Sequence, residues 1–260
     1  REIILSEPEI FGVDAMGKGT PAGYHITEFG GSDGLITTAV RGGVPPYSYL
    51  WSNGGNSESL ADLTAGTYSV TLHDATNCVT SATVTLTEPT ALHVVSIVSP
   101  KVVGNYNISC NTAGSIQVSI AGGTPPYSFN WLHGATTKNV NDLIDPGFYK
   151  IFVTDSNGAV TNASLTLTKA PVLLAEAQAF TYQNGKNTSC YTCNNGHIAV
   201  NVSGGVAPYS FSWNNGSTVQ NPANLGAGLY SVLISDVGGC AYEKVVLITS
   251  PDREVWTMSG

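Results

Sequence analysis

The sequence predicts an all-β protein, built as tandem immunoglobulin-like β-sandwich repeats that form an elongated rod. A ten-residue motif occurs three times along the 260-residue chain, at intervals of 80 and 82 residues. Its copies read GGVPPYSYLW (42–51), GGTPPYSFNW (122–131) and GGVAPYSFSW (204–213). Turn signals recur every 8 to 12 residues without helical periodicity, which is typical of sandwiches with short strands. The spacing predicts three small domains.

Each copy of the motif predicts a turn followed by a core strand. Two glycines end one strand, and proline then forces a turn without donating a backbone N–H. In the middle copy, period-two alternation places Tyr127, Phe129 and Trp131 on one face of the next strand. Because three aromatic side chains on one face need a second sheet to bury them, we expect Trp51, Trp131 and Trp213 in the cores rather than on sugar-binding surfaces.

After the tryptophan, the signals continue in the same order in every repeat. A polar stretch leads to a Gly-x-Tyr triplet, from which a strand with clean alternation runs to an aspartate turn, and a final strand closes the repeat before a proline. A core tryptophan with a tyrosine at the start of a later strand indicates an immunoglobulin-like sandwich with a tyrosine corner. The tyrosines assigned to the core are Tyr68, Tyr149 and Tyr230, and the turn aspartates are Asp74, Asp155 and Asp236.

The same signals give the domain boundaries. Residues 1–8 match the closing strand of a preceding repeat, and 252–260 match the start of a following element. Between them we expect three sandwiches at 9–89, 90–171 and 172–251. Ala91–Val98 and Val172–Phe180 are their expected first strands in repeats two and three. Short linkers of the Thr-Glu-Pro type favour a stiff rod over a flexible string.

The composition and net charge disfavour some classes of binding partner. Charged residues make up only 11% of the chain and the net charge is −8, which disfavours nucleic acid and anionic membranes as partners. No apolar run approaches the roughly 18 residues of a membrane span, so we expect no membrane insertion in this segment. The Thr-, Ser-, Gly- and Asn-rich composition is typical of extracellular β-modules.

Three elements together resemble a known family. They are GG-x-PPY-x-aromatic-x-W, then L-x-x-G-x-Y-x-V-x-(V/L/I)-x-D, and a closing (T/S)-x-x-P; they cover nearly all of residues 28–251. The combination resembles the SprB repeat, found in very large surface adhesins of gliding Gram-negative bacteria that use type IX secretion. The resemblance implies a non-enzymatic stalk or adhesive region on the bacterial cell surface. Its partners would be neighbouring repeats, surface polysaccharide or other cell-surface proteins.

The resemblance also implies disulfides, because repeats of this family often carry one cysteine before the strand that precedes the motif and another after the aspartate turn. Repeat three has candidates at both positions, so Cys240 is expected to pair with Cys190. Cys193 is the rival partner, and a Cys190–Cys193 bridge is the alternative. Cys78 and Cys110 lack partners within their own repeats and are expected as free thiols, with a link between them or to a neighbouring domain left open.

Metal sites and catalysis are disfavoured. Cys190, Cys193 and His197 have the spacing of zinc ligands, but no fourth ligand is evident nearby. Calcium is the best cofactor alternative, because acidic turns between extracellular modules often bind it, although we expect the aspartates to cap their own turns. No enzyme motif is present.

Two other functions remain open. One is a carbohydrate-binding accessory region of a secreted enzyme, in which loop aromatic residues would contact sugar. The other is a fibre subunit that donates a strand, for which Arg1–Pro8 is the candidate segment.

Overall fold

In the computed structural model, which describes residues 9–253, the chain folds into antiparallel β-sheets. Seventeen strands and no helix occur in this range, which confirms the all-β prediction. Within the same residues, no helix has the length and apolar character needed to cross a membrane. The candidate donor strand Arg1–Pro8 and residues 254–260 lie outside the described part.

The chain divides into two compact units, and the middle repeat contributes residues to both. Among the described residues, the first unit comprises 9–97, Val118–Lys138 and Lys150–Ser164. The second comprises Val98–Gln117, Asn139–Tyr149 and 165–253. Because these units do not coincide with the three sequence repeats, the predicted repeat boundaries stay a prediction.

The first repeat is a sandwich of two three-stranded sheets. Its strands are β1 (Gly12–Gly17), β2 (Gly34–Arg41), β3 (Ser48–Trp51), β4 (Leu60–Leu63), β5 (Gly66–His73) and β6 (Val79–Leu86). One sheet has the order β1-β2-β4 and the other has the order β3-β5-β6. Alternation along β5 buries Val70 and Leu72 completely while Thr67 and Ser69 face solvent.

The core of this sandwich is aliphatic and surrounds one tryptophan. Trp51 ends β3 and is 2% exposed. The other buried side chains come from both sheets and from one loop: Val13, Ile26, Ile36, Leu63, Val70, Leu72 and Leu86. Burying a side chain of this size contributes about 1.5–3 kcal/mol, so the apolar face of each strand fixes which side turns inward.

The middle repeat has the same order of strands. They are β7 (His93–Val98), β8 (Gly114–Ala121), β9 (Ser128–Trp131), β10 (Val140–Leu143), β11 (Gly147–Thr154) and β12 (Val160–Leu167). Their sheets have the orders β10-β8-β7 and β12-β11-β9. In the first unit, Trp131 on β9 stands opposite Ile151 on β11. In the second, Val140 on β10 stands opposite Ile116 on β8.

The third repeat, in the second unit, has a smaller first sheet. Its strands are β13 (Leu174–Ala179), β14 (Ile198–Ser203), β15 (Ser210–Trp213), β16 (Gly228–Ser235) and β17 (Ala241–Ile248). β13 pairs with β14, and the second sheet has the order β15-β16-β17. A single bridge between Gly196 and Leu225 stands where the other repeats have a short third strand.

The expected first strands of repeats two and three are present as β7 and β13. The polar stretch after each tryptophan is more ordered than the sequence suggests, because β4 and β10 form within or directly after it. Both strands pair irregularly, with a register shift against β2 and β8.

Candidate functional site

Each repeat presents two clusters of loops, and these are the candidate functional surfaces. The aspartate end combines the glycine-proline turn of the motif with the aspartate turn, at 42–47 and 74–78 in repeat one. Its counterparts are 122–127 with 155–159 and 204–209 with 236–240. The threonine end combines the loop that precedes β2, β8 or β14 with the threonine that directly follows the closing strand β6, β12 or β17. It comprises 25–28 with Thr87, 107–110 with Thr168, and 187–190 with Thr249.

The first glycine of the motif allows a close backbone approach at the aspartate end. Gly42, Gly122 and Gly204 have φ of 62°, 71° and 67°, in the left-handed region that favours glycine. A Cβ at these positions would collide with the carbonyl group of Glu9, Ala91 or Val172, respectively. The turn then passes through a cis peptide bond, at Pro45–Pro46, Pro125–Pro126 and Ala207–Pro208. The tyrosine that follows closes it by donating to the glycine carbonyl: Tyr47 to Gly42, Tyr127 to Gly122 and Tyr209 to Gly204.

A buried aspartate ties the two loops of this end together. Asp74, Asp155 and Asp236 are only 6–7% exposed. One carboxylate oxygen caps the aspartate's own turn, as predicted, by accepting the backbone N–H four residues later, that of Cys78, Ala159 or Cys240, at 2.9 Å. The other oxygen accepts a backbone N–H of the glycine-proline turn, which the sequence did not reveal. These bonds are Val44–Asp74 (3.0 Å), Thr124–Asp155 (2.9 Å) and Val206–Asp236 (2.9 Å).

The charge of Asp74 is stabilised by these donors. The hydroxyl of Thr76 donates to Asp74 Oδ1 at 2.7 Å, and this bond, together with the backbone N–H groups of Val44, Cys78 and Thr76, lowers the pKa of Asp74 from 3.8 to about 2. Desolvation acts in the opposite direction and is outweighed. The carboxylate is therefore ionised at neutral pH, and its hydrogen bonds connect the glycine-proline turn to the aspartate turn.

Within residues 9–253, no group of three or more His, Cys, Asp or Glu side chains is arranged to hold a metal ion. Calcium needs six to eight oxygen ligands, and the carboxylate oxygens of Asp74 already accept bonds from backbone N–H groups. The hydrogen bonds of Asp74, Asp155 and Asp236 support the turn-capping interpretation.

The threonine end is built around one side chain that accepts the N–H of the facing threonine. Asn107 Oδ1 accepts from Thr168 N at 3.1 Å, and Asn187 Oδ1 accepts from Thr249 N at 2.9 Å. In repeat one, His25 Nδ1 accepts from Thr87 N at 3.1 Å. The backbone N–H groups of this residue and of the next one both donate to the carbonyl of the same threonine. Three different sequences therefore give the same local geometry.

In the first unit, the threonine end of repeat one contacts the aspartate end of repeat two. The carbonyl oxygen of Thr27 accepts a bond from Thr124 Oγ1 at 3.2 Å and a short bond from Asn157 Nδ2. A cavity of about 480 Å³ opens beside these bonds. The side chains that line it are small and uncharged: Thr20, Pro21, Ala22, Thr27, Thr124, Pro125, Pro126, Ser156 and Asn157.

In the second unit, the threonine end of repeat two contacts the aspartate end of repeat three, and here the contact is covalent. Cys110 forms a disulfide with Cys240, with a Cα–Cα distance of 5.8 Å and a sequence separation of 130 residues. Beside it, Asn111 Nδ2 donates to the carbonyl of Gly239 at 2.6 Å. The second unit is thus cross-linked between two consecutive repeats.

The predicted Cys190–Cys240 pair is therefore wrong. Cys190 pairs with Cys193, the alternative bridge, three residues away at a Cα–Cα distance of 5.0 Å. Cys110 is likewise bonded rather than free, because the contact between repeats brings it to Cys240. Cys78 is the unpaired cysteine and is exposed, as expected. The disulfide joins the two sulfurs of the zinc-like spacing, and His197 stacks on Phe180 with ring centroids 4.5 Å apart.

The core residues of the motif lie where the alternation places them. Trp51, Trp131 and Trp213 are 2%, 1% and 3% exposed. Each indole Nε1 donates to the backbone carbonyl six residues later, at 2.8–2.9 Å, in Ser57, Thr137 and Val219. Tyr68, Tyr149 and Tyr230 are half-buried, and each hydroxyl donates to the carbonyl four residues earlier, at 2.9–3.2 Å. This is the hydrogen bond of a tyrosine corner.

Comparison with solved structures finds distant likenesses. The chain is 12% identical to a 1.5-MDa bacterial ice-binding adhesin studied for host cell surface retention, with a TM-score of 0.46, over 95% of this chain and 98% of that one. It is 8% identical to extracellular cadherin domains 1–4 of protocadherin gamma B7, with a TM-score of 0.36, over 85% and 71%. It is 12% identical to the amphioxus IgVJ-C2 molecule, with a TM-score of 0.27, over 48% and 89%.

No curated protein sequence matches the chain. The sequence model of the SprB repeat matches it at residues 29–56, 106–136 and 183–218. The first match begins directly after the threonine-end loop and the other two begin before it, and all three include the glycine-proline turn and the tryptophan. The chain therefore contains three tandem regions that match the SprB repeat.

Proposed function

We propose that this chain is a non-enzymatic stalk and adhesive region of a large bacterial cell-surface adhesin, which spaces and presents binding surfaces outside the cell. One observation carries the proposal: consecutive repeats are joined through their ends, by hydrogen bonds to Thr27 in the first unit and by the Cys110–Cys240 disulfide in the second. A disulfide of this kind suits an oxidising, extracellular environment.

The repeats have similar buried cores but different exposed side chains, which supports a role in presenting binding surfaces. On the outer face of the first repeat, Thr67 stands opposite Thr85. At the equivalent place in the third repeat, Leu229 stands opposite Leu247, and these side chains are 64% and 58% exposed. Many weak contacts spread over such an array add by avidity without a single deep pocket.

The SprB resemblance extends the proposal to gliding or surface attachment, with export by type IX secretion. Surface polysaccharide is the partner we favour, because Tyr191 is 53% exposed beside a polar concavity of about 360 Å³. An exposed aromatic ring can stack on a sugar ring while the polar groups beside it form hydrogen bonds with the sugar hydroxyls. Tyr24, Tyr106 and Tyr182, the other loop tyrosines, are half-buried.

The test uses cells that produce the parent protein. An antibody raised against the purified chain should label intact, unpermeabilised cells, and an in-frame deletion of the three repeats should reduce attachment to a surface. The variant Tyr191→Ala tests the sugar contact: it should reduce binding to isolated surface polysaccharide. Unchanged antibody labelling of this variant shows that the protein is still displayed. Labelling that requires permeabilised cells would contradict the proposal, as would attachment unaffected by the deletion.

A further inference from the structure

Cys78 occupies the place in repeat one that Cys240 occupies in repeat three. Each lies four residues after its buried aspartate, and each donates its backbone N–H to that aspartate's Oδ1 at 2.9 Å. Each cysteine carbonyl also accepts the aspartate N–H, at 3.1 Å in repeat one and 3.0 Å in repeat three. The two sulfurs therefore leave the same turn of the aspartate end.

Cys190 occupies the place in repeat three that Cys110 occupies in repeat two. Each lies three residues after the asparagine that accepts the threonine N–H, Asn187 and Asn107 respectively. Both cysteines are exposed. They are the equivalent thiol positions of two threonine ends.

The Cys110–Cys240 disulfide shows that these two places are complementary. When the threonine end of one repeat meets the aspartate end of the next, the two Cα atoms lie 5.8 Å apart, within the range that a disulfide spans. The first unit has the same meeting of ends but carries Glu28 and Ala159 at the two places. Cysteines also occupy these two places at the aspartate end of repeat one, as Cys78, and at the threonine end of repeat three, as Cys190.

We propose that Cys78 of one copy of this chain forms a disulfide with Cys190 of a second copy, joining the two head to tail in the manner of the Cys110–Cys240 link. The reaction is thiol–disulfide exchange. The Cys78 thiolate attacks Cys190 Sγ, the Cys78–Cys190 bond forms, and the Cys190–Cys193 bond breaks. Cys193 leaves as a thiolate and takes up the proton that Cys78 released. The number of disulfides is unchanged, so no oxidant is required.

The surroundings of the reacting sulfurs support this direction of attack. Cys78 is exposed and in no disulfide, and its Sγ accepts one exposed bond from Thr76 Oγ1 at 3.5 Å, so its thiol is available. Cys190 is exposed whereas Cys193 is half-buried, which makes Cys190 the accessible sulfur of the pair. Ser189 Oγ lies 3.4 Å from Cys193 Sγ, where its hydroxyl can donate to the departing thiolate. Asn195 Nδ2 donates to the same Ser189 oxygen at 2.7 Å and orients that hydroxyl.

The experiment uses the purified chain, incubated at mildly alkaline pH without added thiol or oxidant. Non-reducing electrophoresis should show covalent dimers and longer species that grow with protein concentration and disappear on reduction. Mass spectrometry of the digested dimer should recover a peptide that links Cys78 to Cys190. Cys78→Ser should abolish every covalent species.

Complementary variants make the result specific. Cys78→Ser supplies only the Cys190–Cys193 disulfide, and the double variant Cys190→Ser with Cys193→Ser supplies only the Cys78 thiol. Neither should oligomerise alone, and their mixture should form covalent dimers that grow no further. Matching melting temperatures would show that both variants are folded. The proposal is overturned if the parent chain stays monomeric, or if its links join Cys78 to Cys78 or to Cys193.

Discussion

Replacing Cys110 and Cys240 together by serine should destabilise the second unit strongly. The disulfide spans 130 residues, and in the chain-entropy model a closure of that length contributes about 5 kcal/mol. The contribution arises because the cross-link restricts the unfolded chain of two repeats at once. For a unit of this size, a loss of about 5 kcal/mol corresponds to a fall of about 10 to 20 °C in melting temperature.

The matched control removes the other disulfide. Cys190→Ser with Cys193→Ser deletes the same number of sulfur atoms, but the sequence separation is only 3 residues. The same model gives less than about 2 kcal/mol for so short a loop. The two variants should therefore differ by about 3 kcal/mol, with the larger loss in the long-range pair.

Differential scanning calorimetry of the parent chain and both double variants measures the difference. The heat-capacity peak of the second unit should shift in the Cys110/Cys240 variant, while that of the first repeat should stay in place because stability in repeat arrays is summed locally. If the Cys110/Cys240 variant loses no more stability than the control, the reasoning is refuted. The disulfide would then not restrict the unfolded state of two repeats that unfold together.

Three further predictions concern the core, the aspartate end and the contact between repeats one and two. Trp213→Ala should lower the stability of the third repeat by about 3–5 kcal/mol in urea denaturation followed by circular dichroism, because its indole fills the core. Asp74 has a folded-state pKa of about 2 against an ordinary value of 3.8, so its contribution is complete above the ordinary value and is lost as pH falls towards 2. Asp74→Asn should therefore flatten the fall in stability across that window, measured by urea midpoints at successive pH values. Glu28→Cys with Ala159→Cys should form a new disulfide detectable by peptide mapping, because these residues stand at the places of Cys110 and Cys240.

Each of these has a clear contrary result. Trp213→Phe keeps most of the buried surface and should cost less than Trp213→Ala; equal losses would mean that packing is not the cause. An unchanged slope of stability against pH in Asp74→Asn would show that Asp74 does not carry the acid sensitivity. Two free thiols after mild oxidation of the Glu28/Ala159 variant would show that the two contacts between repeats are not equivalent.

The strands and the core could be predicted from the sequence because their signals are local. The alternation that ends in Trp131 places the indole inward, and the Gly-x-Tyr triplet places Tyr149 at a corner, whatever the rest of the chain does. The short strand β4 could not be predicted in the same way. Its residues read Leu-Ala-Asp-Leu, and Asp62 has a positive φ of 55°, so neither alternation nor β-propensity marks it as a strand.

The links between loops could not be predicted, because they depend on contacts that no local pattern encodes. A turn aspartate predicts a bond to its own turn, but the bond from Val44 to Asp74 joins residues 30 apart. The cysteine pairing failed for the same reason. A search within one repeat finds Cys190 for Cys240, whereas the actual partner, Cys110, belongs to the preceding repeat.

Peptide mapping of the untreated chain under non-reducing conditions tests the end-to-end connection of the repeats most directly. Alkylation of the free thiol before digestion should label Cys78, and mass spectrometry should then recover one cross-linked peptide pair containing Cys110 and Cys240. A second peptide should carry the Cys190–Cys193 bridge within itself. Recovery of Cys240 linked to Cys190, or of Cys110 as an alkylated thiol, would contradict the covalent joining of consecutive repeats.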